Sequence, residues 1–416
     1  MRRRTFLKSS GLALTGAALR PVFAADSASE EQIGIGIIGT GVRGKQLMAF
    51  LSEMPQFRIA GYCDVLPFRL REARARAPVG AKEYADYRHM LEDDEVDAVV
   101  IASHFSAHLP MAMNALDAGK HLYCEKTMVK GIDETLSLVR KAREHPQLTF
   151  QTGFQLRSSA LYEKAARMIA RGDIGAVVAV ACQWNRNGDW RRPVPDPKWE
   201  RLVNWRMYRE YSSGLAAELS SHQMDFCNRI LDGSIRRIQG TGGIDYWKDG
   251  RETYDNIHVV CRYSSGVTAT FTSLTANSLD GYRIAVLGNK GSMILTMQRG
   301  WLIPEGSDFA AGDDVDLVSG ASVPAGRHDA YRHSDAASAY AIKAPIDDPT
   351  PAALAEFADS IVRERQPSAD VFVGARVSLM VQMAIDAMDA GTVIDWQPDF
   401  DAEQSCGSAM VSGCRR

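Results

Sequence analysis

Two sets of residues in this chain have the types and spacing for chemistry. The first is Gly39-Thr-Gly41-Val42-Arg43-Gly44, which follows the apolar run Ile33 to Ile38 and opens a helix-like stretch. Glycines there permit a tight turn and close backbone approach to a pyrophosphate, while a helix N-terminus offers N–H groups and partial positive charge. Asp64 ends the next apolar run, about 20 residues past the last glycine, where an acid accepts from ribose hydroxyls. Together they point to a dinucleotide. Asp64 favours NAD over NADP, although Arg69 stands close enough to offer a competing contact to a 2′-phosphate.

The second set holds ionisable groups. Glu125-Lys126 follows the strand-like His121 to Tyr123, and an open α/β sheet places its ligands beyond such strand ends. Glu218 and His222 are four residues apart and Asp225 follows three later, which puts three polar groups on one helical face. By type alone a strand-end lysine is usually solvated, and a helical Glu and His can simply satisfy local hydrogen bonds.

Elements that would position these groups are legible as pattern. From Ile33 to about Phe150, short β-branched runs (34–38, 57–63, 98–102, 121–123, 148–151) alternate with helical stretches (42–54, 67–77, 110–118, 132–144), the grammar of a parallel, doubly wound sheet. After Thr152 a helix over 161–171 leads to longer alternating strands at 177–183, 235–245, 256–264, 267–275, 283–287 and 292–297. Alternation of that kind predicts an α+β domain with an open, largely antiparallel sheet. Residues 305–350 read as surface loop, and helices over 351–364 and 374–390 precede a polar tail. The expected division is a leader at 1–25, a dinucleotide-binding domain at 32–151, a second domain at 152–395 and a tail at 396–416.

The leader is Arg3-Arg4-Thr5-Phe6-Leu7-Lys8, an apolar stretch from Gly11 to Leu19, and small residues at Ala24-Ala25. It reads as a twin-arginine export signal, too short to span a bilayer comfortably and fit for removal by signal peptidase. The expected destination is the periplasm or the exterior. That route carries folded proteins, which suits a chain that must first capture a cytosolic dinucleotide. Its removal deletes Arg2, Arg3, Arg4, Lys8 and Arg20 and no acid, taking the formal charge from −3 to −8. An acidic balance argues against nucleic acid or an anionic membrane surface as partner. The seven cysteines (Cys63, Cys124, Cys182, Cys227, Cys261, Cys406, Cys414) have no metal-ligand spacing and read as free thiols, with Cys406 and Cys414 in the tail the two able to pair.

Taken together, the glycine turn, Ala102-Ser103 with His108, Glu125-Lys126, Gly153-Phe154 and Glu218-x-x-x-His222-x-x-Asp225 resemble the Gfo/Idh/MocA oxidoreductases, over nearly the whole chain after the leader. The resemblance implies a Rossmann first domain, an open antiparallel second domain that often pairs into dimers or tetramers, and a site lined by a lysine, an acid and a histidine. Lys126 matches the lysine of the Glu-Lys-Pro motif, Glu218 the acid and His222 the histidine; Ser103, His108 and Glu125 join the fingerprint residues around the cofactor. Three departures stand out: Thr127 replaces the proline, with loss of a frequent cis peptide expected; Glu218 is a methylene longer than the usual aspartate; His104-Phe105 stands where Pro-Asn is common.

On this basis His222 is the candidate base for a hydroxyl proton, oriented by Glu218, with Lys126 stabilising the alkoxide or itself acting as acid-base. The stretch from Trp184 to Tyr211, with Trp190, Arg191, Arg192, Trp199, Trp205, Arg206 and Tyr208, offers aromatic faces and guanidinium groups to a sugar or polyol, or equally to another subunit. Arg157, Trp184, Trp205 and Asp225 are the expected substrate contacts. Three activities fit: net oxidation of a sugar with a retained NAD, redox-neutral cleavage of a glycoside, or binding of a sugar without catalysis.

Overall fold

A computed structural model describes residues 32–231, 235–305, 312–318 and 339–400. The leader and the tail pair Cys406/Cys414 lie outside the described residues.

Six parallel strands form the first sheet: β1 (Ile33–Ile38), β2 (Phe57–Cys63), β3 (Lys82–Tyr84), β4 (Ala98–Ile101), β5 (His121–Glu125) and β6 (Phe150–Gly153), in the order 3-2-1-4-5-6. β1 is buried along its whole length because helices cover both faces. These helices are α1 (Val42–Glu53), α2 (Pro67–Arg74), α3 (Tyr87–Leu91), α4 (Phe105–Asp117) and α5 (Ile132–Glu144). Strand order reverses between β1 and β4, and the crevice beyond their carboxyl ends is where doubly wound folds bind ligands.

After α6 (Ala160–Arg171) the chain builds a ten-stranded sheet from β7 (Val177–Asn187), β8 (Ile235–Gly243), β9 (Asn256–Tyr263), β10 (Thr268–Leu274), β11 (Ala276–Gly288), β12 (Gly291–Leu295), β13 (Gly300–Pro304), β14 (Val315–Val318), β15 (Ala339–Ile342) and β16 (Ile394–Asp395). All its pairings are antiparallel except β7 with β10. β10 alternates between buried and half-buried residues, so one face holds the core and the other stays open. Short α7 (Glu200–Val203), a π-helical turn (Ala216–Ser220) with α8 (Ser221–Ile230), α9 (Thr350–Val362) and α10 (Val371–Ala390) complete the molecule. Leu354, Phe357 and Ala358 of α9 pack with Ile35 and Leu47 of the first lobe, although the sequence places that helix with the second. Val371 and Ala375 of α10 likewise join the core under β4 and β5.

Three expectations need correction. β3 escapes the pattern because its three residues are half-buried or exposed and do not alternate in hydrophobicity. Residues 305–350 are not all loop: β14 and β15 pair with each other and extend the sheet through β13. Helix α4 begins at Phe105, a turn ahead of the expected Pro110, which sits inside it. Proline suits a first helical position, and that preference misplaced the start.

Candidate active site

A crevice of about 930 Å³ runs between the two lobes. Its floor on the first lobe is the β1–α1 turn. Gly39 has φ of +92°, open to glycine at no cost, and a Cβ on Gly44 would lie 1.8 Å from the Gly39 carbonyl oxygen. Gly44 therefore does not line the crevice; it lets α1 start against the turn. Gly41 and Val42 do line it. The Asp64 carboxylate is buried and braces the turn, accepting from the backbone N–H of Thr40 (2.8 Å) and of Leu66 (2.9 Å). A bare glycine backbone, an acid at the second strand end and a crevice of this volume fit a dinucleotide. Gly39, Gly41, Val42 and Asp64 would hold it.

The β5 end supplies the next wall. Glu125 accepts from Arg43 Nε at 2.6 Å and from Gln155 Nε2 at 2.9 Å, so Arg43 reaches the cofactor floor already paired. The Lys126–Thr127 peptide is cis, contrary to the loss expected with Thr127. Around that bond Thr127 Oγ1 donates to the Ala217 carbonyl (3.2 Å), and Lys126 Nζ donates to the carbonyls of Glu218 (2.7 Å) and Ala217 (3.4 Å). These bonds occupy two of the lysine's three donors. Burial lowers the Lys126 pKa, with Glu218 and Glu125 opposing the shift.

His108, expected at the cofactor, is fully buried and does not line the crevice. Its ring nitrogens face the carbonyls of Thr127, Met128 and Ser103, each at 3.2 Å, so the side chain ties the loop bearing Ser103 to the loop bearing Lys126. Ser103 itself lines the crevice, as do His104 and Phe105. Burial drives the His104 pKa down to about 4.

The second lobe contributes Glu218 and His222, which face the same space as Lys126. They do not form the expected carboxylate–imidazole pair. Glu218 lies in the π-helical turn, whose wider spacing removes the i,i+4 stacking of a regular helix, and its Oε2 is held by Arg206 Nε at 3.0 Å. Glu218 Oε1 and His222 Nδ1 are left buried without a partner among the described residues. Burial takes the His222 pKa well below its usual value, and the charges of Lys126 and Arg43 add to the effect. The imidazole is thus neutral at neutral pH.

Aromatic rings close the outer side. Trp184 packs edge-on to Tyr282, with ring centroids 4.9 Å apart, and lies 6.3 Å from His222; Trp205 meets Phe105 at 5.1 Å and carries Arg206 at 4.3 Å over its face. The expected substrate contacts Arg157 and Asp225 are corrected: neither lines the crevice, and they form a buried fork in which Arg157 Nε and Nη2 donate to the carboxylate at 2.8–2.9 Å. Asp225 lies on α8 past the π turn, and a buried carboxylate requires a cation. Sequence reasoning missed Gln155, Asp348 and Thr350 as crevice residues. Gln155 neighbours the noted Gly153-Phe154; Asp348 and Thr350 carry no sequence signal.

Residues 33–154 match a family model described as an oxidoreductase family with an NAD-binding Rossmann fold, and residues 162–294 match the GFO/IDH/MocA C-terminal domain, together more than half of the chain. The chain is 27% identical over 268 residues to the uncharacterized oxidoreductase YrbE of Bacillus subtilis (63% of this chain, 73% of that one). It is 26% identical over 265 residues to myo-inositol 2-dehydrogenase of Thermotoga maritima (62% and 73%). Among solved structures it resembles levoglucosan dehydrogenase in complex with NADH (TM-score 0.69, 17% identity, 88% of this chain and 99% of that one). It also resembles aldose-aldose oxidoreductase from Caulobacter crescentus complexed with glycerol (TM-score 0.69, 18% identity, 88% and 100%). At those identities the structural likeness is one of fold.

Proposed function

The chain belongs to the GFO/IDH/MocA oxidoreductases, a family with an NAD-binding Rossmann domain, and from that premise we propose that it oxidises a hydroxyl-bearing carbon of a sugar, polyol or glycoside. Support comes from relatives named as inositol, levoglucosan and aldose oxidoreductases. The observation that carries the reading is the convergence of Lys126, Glu218 and His222 on the crevice that also holds the glycine turn. When bound, NAD supplies the hydride acceptor.

The protein's own groups handle the proton and the hydroxyls. His222, kept neutral by burial, is the base for the hydroxyl proton. The third N–H of Lys126 is available to the same oxygen as its charge develops. Glu218 Oε1, unpaired while Arg206 holds Oε2, accepts from a neighbouring hydroxyl. Trp184 and Trp205 offer apolar surface to the sugar's C–H faces.

A panel of inositols, aldoses and anhydrosugars incubated with NAD, followed by NADH fluorescence, tests the proposal. His222→Ala should lower kcat by about 10²- to 10⁴-fold with NADH binding retained. An unchanged rate would remove His222 from the chemistry. Export through the twin-arginine route and assembly into a homo-oligomer belong to the same proposal. Replacing Arg3 and Arg4 by lysine should leave unprocessed protein in the cytosol, and light scattering on the processed protein reads its assembly.

A further inference from the structure

Residues 188–211 leave the end of β7, cross to the first lobe and return. Arg191 bonds Glu200 within the segment (2.6 Å) and Asp249 beyond it (3.1 Å), and buried Asn204 holds the backbone of Arg192 on both sides, accepting from its N–H (2.7 Å) and donating to its carbonyl (3.1 Å). The far end docks on the start of α4: Ser106 N–H donates to the Tyr211 carbonyl (3.3 Å), and the Tyr211 ring stands edge-on to His104 at 4.8 Å. Between these anchors Arg192, Pro193, Leu202 and Val203 wall the same crevice as Gly41 and Asp64.

Besides Arg186, which lies over the rings of Trp184 and Trp190, two guanidinium groups lining the crevice have no ion pair or side-chain hydrogen bond among the described residues. One is Arg192, whose backbone is fixed while its side chain is exposed. The other is Arg69 of α2, whose Nη1 lies 3.4 Å from where a Cβ on Gly41 would stand, directly over the glycine turn. Burial lowers the Arg69 pKa, Asp64 and Glu72 oppose the shift, and the charges of Arg192 and Arg206 add to it. Like charges gathered beside a bare glycine backbone call for a dianion.

We propose that residues 188–211 are a strap over the dinucleotide site, and that Arg192 on the strap and Arg69 on the first lobe grip the cofactor's diphosphate, retaining it between turnovers. The inference rests on the reading of the crevice as a dinucleotide site; it does not depend on which sugar is oxidised. Retention of this kind suits a protein that works away from the cytosolic pool of nicotinamide cofactor.

The test is binding to the purified full chain without any sugar. NADH release, followed by fluorescence on a chase with excess NAD, should be about ten- to a hundredfold faster in Arg192→Ala, the loss of one hydrogen-bonded charge contact. Arg192→Lys should fall between the two. ADP-ribose, which keeps the diphosphate, should lose affinity in the same proportion, and AMP, which lacks it, should not. An unchanged NADH release rate in Arg192→Ala overturns the proposal. So does an effect confined to NADPH, which would place Arg192 at the 2′-phosphate, or one seen with NADH and not with ADP-ribose, which would place it at the nicotinamide end. Failure of the unsubstituted protein to bind NADH would remove the dinucleotide reading along with the strap. Normal retention without sugar oxidation would remove only the proposed reaction.

Discussion

Arg206 illustrates how one side chain redistributes roles at the residue scale. It takes one Glu218 oxygen, while the other oxygen and His222 Nδ1 have no partner among the described residues. Arg206→Ala should therefore lower kcat/KM for the sugar by about tenfold, one charge-assisted contact, with NADH affinity unchanged; equal losses in both would mean the arginine serves the cofactor. The His222 environment gives a pH prediction with a definite sign. Its folded pKa lies below 6.5 because burial and the Lys126 charge disfavour the imidazolium. The base is lost only when it is protonated, so the acid limb of kcat/KM should fall below pH 6.5. A limb above that value would assign it to another group. Lys126, His222 and the glycine turn were legible as residue types at informative spacings. Their convergence on one crevice was expected from the family resemblance; the pairing within it was not, because nothing local tells Glu218 that its partner is Arg206 and not the histidine four residues on.

Elements decide where such residues can point. The β1–α1 turn depends on close approach as well as on Gly39's positive φ, since a Cβ on Gly44 meets the Gly39 carbonyl oxygen at 1.8 Å. Gly44→Ala should destabilise the fold by about 1–3 kcal/mol and lower the denaturation midpoint, as overpacking does. A variant as stable as the parent would show that the turn can open. The strands and helices of the first lobe were readable because continuous apolar runs and a 3.6-residue period are local signals. Exceptions were elements whose existence rests on neighbours: β3, mostly exposed, and β14 and β15, each four residues long and held by pairing with each other and with β13. The π-helical turn at Ala216–Ser220 is a further case, since its sequence, rich in small and helix-forming residues, also suits a regular helix.

For the whole molecule, burial of neutral histidines predicts how stability follows pH. His104 is pushed down to about 4 from an ordinary value of 6.5, and His108, His121 and His222 shift in the same direction, each chiefly through burial. A basic group with a lowered folded pKa binds more protons when unfolded, so its stabilisation is present above pH 6.5 and is lost as pH falls below it. Urea midpoints measured from pH 7.5 down to pH 5 should fall steadily; a flat profile would mean these rings are hydrated or paired. The sequence by itself determined the dinucleotide turn, the doubly wound first sheet and the antiparallel second one, because φ-permissive glycines and apolar periodicity act over a few residues. Only the tertiary structure decided that Arg157 binds Asp225 across 68 positions, that Thr350 of α9 reaches the crevice, and that Arg192, Pro193, Leu202 and Val203 wall it. Those outcomes depend on which distant side chains packing brings within hydrogen-bond reach, a property of the assembled lobes and of no single segment.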